Sequence, residues 1–70
     1  MNATKDWHEV PNWCQFRAIN ANGVRRYYEF RPVLSTRWPH WIYGPDGGRS
    51  WYGGELPWCA EWKDSLEVRP

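Results

Sequence analysis

Aliphatic residues are scarce in this chain of 70 residues. Val10, Ile19, Val24, Val33, Leu34, Ile42, Leu56, Leu66 and Val68 are all of its valine, isoleucine and leucine, and it has one methionine. No apolar run approaches the ~18 residues of a membrane-spanning helix, so no membrane partner is expected. The opening MNATKDWHEV lacks the positive start and apolar stretch of a secretory signal, which points to a cytoplasmic location. Cysteine is limited to Cys14 and Cys59, each directly after a tryptophan. Cytoplasmic thiols stay reduced, and the two read as small buried hydrophobes rather than a disulfide. Zinc sites usually present their ligands in close pairs, and His8, Cys14, His40 and Cys59 contain no such pair, so no metal is expected. The glycines at 44, 47, 48, 53 and 54 lack the Lys-Ser/Thr ending of a phosphate-binding loop. Carboxylates are few, and no Cys–His pairing is favoured by local spacing. The residues therefore advocate no reaction and no cofactor, and the chain is expected to be non-catalytic.

What is abundant is aromatic: seven Trp, four Tyr and two Phe. A chain of this size forms one domain, residues 1–70, and buries only about 60% of its unfolded surface. Each ring can bury roughly 150–250 Å². Thirteen rings exceed what so small an interior needs, so several are expected at the surface. The formal net charge is +1, but it is unevenly spread. Residues 17–49 carry six arginines against Glu29 and Asp46, a net +4, while both ends are mildly acidic. Arginine suits planar stacking and bidentate contact with carboxylate or phosphate.

Asp6 is a candidate cap for at most one helical turn before Pro11. Cys14–Ile19 alternates as a strand with Cys14, Phe16 and Ala18 on one side. Asn20-Ala21-Asn22-Gly23 reads as a hairpin turn. Val24–Arg31 returns, setting Val24, Arg26, Tyr28 and Phe30 opposite Arg25, Tyr27, Glu29 and Arg31, until Pro32. A second hairpin is expected from Trp38–Tyr43, the turn at residues 44–48 and Arg49–Tyr52, with Gly53-Gly54 breaking the strand. Pro57 and the recurrence of Trp58, Trp62 and Leu66 predict a helix over 57–66. The expected fold class is α+β, a small antiparallel sheet of two consecutive hairpins with a short C-terminal helix. Phe16, Tyr28, Phe30, Trp41, Trp58 and Trp62 are the expected core. Arg25, Tyr27, Arg31, Arg37 and Trp38 are the expected binding patch.

Part of the chain resembles a WW domain through Pro11-x-Trp13, Gly23, Tyr27-Tyr28 and Thr36-x-Trp38. The resemblance implies a three-stranded sheet binding proline-rich peptides, with Tyr28 and Trp38 as an aromatic clamp. Arg31 stands where the family's ligand-contacting His belongs, the first loop is longer, and residues 39–70 are not covered. A second resemblance rests on Asp6-Trp7-x-x-Val10-Pro11-x-Trp13 and Gly23-x-x-x-Tyr27-Tyr28-Glu29-x-x-Pro32. These are similar to small tailed-bacteriophage and prophage accessory proteins. That similarity implies a binder, and an inhibitor, of a bacterial host protein such as a defence or nucleic-acid-processing enzyme. Trp, Tyr and Arg suit such protein contacts, and equally a single-stranded nucleic acid, whose bases stack on rings while arginine tracks phosphates. So many rings also allow a homodimer to hide some of them.

Overall fold

A computed structural model describes residues 5–57 and 59–70. Its six strands are β1 (Phe16–Ile19), β2 (Val24–Tyr28), β3 (Val33–Leu34), β4 (Trp41–Ile42), β5 (Ser50–Glu55) and β6 (Glu67–Val68). Four of them form an antiparallel sheet in the order β5-β2-β1-β6, and β3 and β4 form a separate two-stranded ribbon. The only helical elements among the described residues are two 3-10 turns, Trp7–Glu9 and Trp62–Asp64.

The first hairpin forms with the predicted turn, but its strands are shorter than expected, and Cys14, ahead of β1, packs with Tyr27 rather than on the side of Phe16 and Ala18. Asn20 and Val24 close the loop, the Gly23 N–H donates to the Asn20 carbonyl at 2.8 Å, and Gly23 takes φ +91°. This is the three-residue hairpin geometry that requires glycine at its left-handed position. The predicted cap also forms: Trp7 N–H donates to Asp6 Oδ1 at 3.1 Å, and Asp6 N–H donates to Glu9 Oε2 at 2.9 Å.

Beyond the first hairpin the topology departs from expectation. The strand over 50–55 returns to β2 rather than to β4, with Tyr27 opposite Trp51 and Tyr28 opposite Ser50. The β4 partner is instead β3, with Val33 opposite Ile42 and Leu34 opposite Trp41. Gly53 and Gly54 do not end β5. The register slips by one residue there, and Gly54 sits at φ +99°, so the pair makes a bulge inside a continuous strand.

The helix expected over 57–66 is absent, which corrects the α+β assignment: the described chain is a mostly β fold. An α-helix would send the Trp62 carbonyl to Leu66. That carbonyl is claimed instead by the Ser65 N–H, by the Ser65 hydroxyl at 2.6 Å and by the Trp41 indole N–H at 3.1 Å. The chain then extends as β6, where Phe16 faces Val68 and Arg17 faces Glu67. Trp58 lies outside the described residues.

Cross-strand partners share a face, and both faces of this sheet are covered. On one face, Val10, Cys14 and Tyr27 are buried, with Trp7, Trp13 and Trp51 packed on them. Trp7 and Trp51 meet Tyr27 edge-on, with centroids 5.1 and 6.3 Å away. On the other face, Ala18, Tyr28 and Trp41 are buried beneath Phe16, Trp62 and Leu66. Trp41 thereby anchors the β3–β4 ribbon to the sheet. The core expectation holds for Tyr28 and Trp41, with Phe16 and Trp62 half-buried beside them. It fails for Phe30, which is 44% exposed because β2 ends at Tyr28.

Arg69 closes the first face. Its guanidinium donates to the carbonyls of Pro11, Cys14 and Trp7 at 2.9–3.2 Å and lies 5.5 Å from the Trp7 ring. Both cysteines are free thiols. Cys14 is fully buried, and desolvation pushes its thiol pKa up against the pull of Arg69 and Arg49. Cys59 is only half-buried, which corrects its assignment to the interior. A thiol reagent under native conditions is expected to modify Cys59 and to reach Cys14 only at the rate of unfolding. Mass spectrometry of a labelling time course reads both rates; equal rates would contradict the placement of Cys14.

Candidate functional site

The ribbon is short because its sequence gives it little to pair. Only two residues of each strand match, and the link Ser35–His40 is tied by the Ser35 hydroxyl, which accepts the N–H groups of Arg37 and Trp38 at 3.1 and 2.9 Å. The tip docks on the first hairpin turn. Ala21 N–H donates to the Pro39 carbonyl at 3.2 Å, and Trp41 N–H donates to Asn20 Oδ1 at 2.7 Å. Among the described residues, eight large hydrophobic side chains are left exposed, and Val33, Leu34, Trp38, Ile42 and Tyr43 of this ribbon are five of them. Trp38 is 57% exposed, with the Arg37 guanidinium 5.6 Å from its ring centroid.

The five residues predicted to bind do not assemble into one patch. Arg37 and Trp38 stand together on the ribbon tip. Arg31 is exposed just before the buried Pro32, in the link from β2 to β3. Arg25 and Tyr27 belong to the opposite face of the sheet, since they share the face of Ile19 and Arg17. Tyr27, expected to be an outward ring, has no exposed surface. Its hydroxyl donates to the Lys5 carbonyl and accepts from Arg17 Nη1, and its ring lies against Gly53, where an added Cβ would come within 2.7 Å of it. Lys5 thus holds the ring through its backbone carbonyl.

Between ribbon and sheet lies a cleft of about 380 Å³ lined by Asn20, Arg26, Tyr28, His40, Trp41, Ile42, Tyr43 and Ser50. Tyr28 and Tyr43 meet edge-on at 6.0 Å, and the Tyr43 and Ser50 hydroxyls are 2.7 Å apart. Burial raises the Tyr28 pKa, partly offset by the nearby Arg26 cation, so the hydroxyl keeps its proton. No family model, curated protein or solved structure matches the chain. Among the described residues, no three His, Cys, Asp or Glu side chains gather as a metal site, and no helix is long and apolar enough to cross a membrane.

Sequence reasoning missed the cleft, although one signal for it was present. Arg26 shares the strand parity of Tyr28, so it is a lone cation on a face otherwise read as core. The other lining residues come from the first turn, the ribbon and β5, and only the non-local pairing of β5 with β2 brings Ser50 to Tyr28.

Proposed function

We propose that this chain is a non-catalytic binding module that engages another protein through the β3–β4 ribbon. The observation that carries this reading is the concentration of exposed apolar side chains on one small element, with Trp38 and Arg37 stacked at its tip. Val33 and Ile42 pair directly across the ribbon and are 39% and 41% exposed, a patch that buries well against a partner. Trp and Arg are the residues that most often anchor such contacts.

The arginines favour a protein partner over single-stranded nucleic acid. Arg17 is held by Glu67 at 2.9 Å and Asp6 at 3.4 Å, Arg49 pairs with Glu29 at 3.0 Å, and Arg69 is engaged with backbone carbonyls. Arg25 and Arg26 lie on opposite faces of β2, which breaks up the contiguous positive face that phosphate tracking requires. The resemblance to small phage proteins makes a cytoplasmic host protein of a bacterium the partner to seek, with inhibition as the consequence.

Tagged chain should capture a specific protein from nuclease-treated bacterial extract at raised salt, and Trp38→Ala should lose at least tenfold of that capture with an unchanged melting temperature. Removing an anchoring tryptophan commonly costs about 2 kcal/mol or more of binding. Capture abolished by nuclease would transfer the argument to phosphate contacts. Capture that Trp38→Ala leaves intact would remove the ribbon from it.

A further inference from the structure

The cleft beside the ribbon holds hydrogen-bond donors that the fold itself does not use. Tyr28 is only 3% exposed and lines the cleft, yet its hydroxyl has no hydrogen-bond partner among the described residues. That oxygen is not among the buried unpartnered atoms of the fold: it opens to the cleft, where water or a ligand can complete it. Arg26, two residues away on the same strand face, has no ion pair among the described residues. The nearest acid on the adjoining strand, Glu55, is engaged by the Tyr52 hydroxyl at 3.0 Å. Asn20 gives its oxygen to the Trp41 N–H, which leaves its amide N–H₂ as a third donor on the wall.

These donors have a common requirement, an acceptor with two oxygens. A guanidinium binds a carboxylate through two parallel hydrogen bonds, and the Tyr28 hydroxyl adds a third. The charge balance sets the class of anion: among the described residues Arg26 is the only permanent cation lining the cleft, enough for one negative charge and short of the two on a phosphate monoester. The rest of the lining is apolar and flat, with the rings of Tyr28, Trp41 and Tyr43 and the side chain of Ile42. A volume of about 380 Å³ lies in the range of small-ligand clefts and accommodates a ring bearing an acid group. We infer that this cleft is a receptor for a monocarboxylate carried on a flat or aromatic body, bound through Arg26, the Tyr28 hydroxyl and Asn20 with its ring against Trp41 and Tyr43. The cleft adjoins the exposed Val33, Trp38 and Ile42 surface, and Ile42 borders both.

Titration of ¹⁵N-labelled chain with benzoate, benzamide, phenyl phosphate and N-acetylphenylalanine tests the assignment. Benzoate should give saturable shifts at the Arg26 and Tyr28 amides and the Trp41 indole, with benzamide, its neutral counterpart, at least tenfold weaker. Tyr28→Phe removes only the unpartnered hydroxyl, so it should stay folded and bind benzoate about tenfold less tightly, as befits a lost hydrogen bond to a charged group. Arg26→Gln should abolish saturation. If N-acetylphenylalanine binds more tightly than benzoate, the carboxylate belongs to a peptide terminus; if less tightly, to a free planar acid. Either order supports the carboxylate. Equal binding of benzamide, tighter binding of phenyl phosphate, a Tyr28→Phe variant with unchanged affinity, or the absence of saturable shifts would each overturn the inference.

Discussion

Tyr27→Ala is expected to leave the chain largely unfolded at room temperature. Tyr27 is the fully buried ring between Trp7 and Trp51, and truncating an aromatic core residue typically costs 3–5 kcal/mol. A domain of this size has roughly 4–10 kcal/mol of stability in total. The loss extends beyond the ring's own packing. The Lys5 carbonyl loses its donor, Arg17 Nη1 loses the Tyr27 oxygen, and the ring no longer fills the space above Gly53. Tyr27→Phe separates these contributions, because it keeps the ring and removes only the hydroxyl. It should cost about 1–2 kcal/mol and remain folded. Urea unfolding followed by tryptophan fluorescence reads both values. A Tyr27→Ala variant with near-native stability would mean that this face of the sheet is not a core.

Gly23→Ala should be nearly as damaging, for a different reason. The residue sits at φ +91°, and an alanine Cβ there would lie 2.0 Å from the Leu56 carbonyl oxygen. That oxygen is backbone, held close because the Leu56 N–H donates to the Gly23 carbonyl at 2.8 Å. Neither partner can yield without opening the junction where the first turn meets the end of β5, and Cys59 N–H also donates to the neighbouring Ala21 carbonyl. Left-handed strain of about 1–2 kcal/mol adds to this clash, so the total should reach about 3 kcal/mol or more. Gly47→Ala is the matched comparison: φ is +63° there, but nothing lies within 4 Å of the added carbon. Its cost should stay near the strain alone. Similar losses at both positions in denaturant melts would show that Gly23 is required only for its dihedral angle.

These two sites mark where the sequence was legible and where it was not. The turn at residues 20–23 carries its own chemistry, since glycine at a left-handed position and the surrounding alternation are local facts. The Asp6 cap is local in the same sense. Tyr27 was misplaced because alternation separates two faces of a strand without saying how many of them are covered. Arg17 and Arg25 beside it suggest solvent, whereas Lys5, Trp7 and Arg69 cover that face and Arg17 is engaged by Tyr27, Asp6 and Glu67. Strand partners posed the same difficulty. Trp38–Tyr43 and Arg49–Tyr52 flank a strong turn, yet β5 finds more to pair with in the five-residue β2 than in the two-residue β4. The Trp58, Trp62, Leu66 spacing fits a helix, but the carbonyl that would continue it is claimed by Ser65 and by the Trp41 indole from across the fold. Of the residues expected to bind, Arg37 and Trp38 are exposed side by side on the ribbon, because a loop tip between two short strands leaves its rings little to pack against.

The location of the contact surface can be read amide by amide. ¹⁵N-labelled chain placed in unlabelled, nuclease-treated bacterial extract reports which positions a partner touches. Broadening or shifts confined to the ribbon, strongest at Val33, Trp38 and Ile42 and lost in Trp38→Ala, are the predicted result. An unaltered spectrum, or changes centred on Trp7, Trp13 and Arg17 across the sheet, would contradict it.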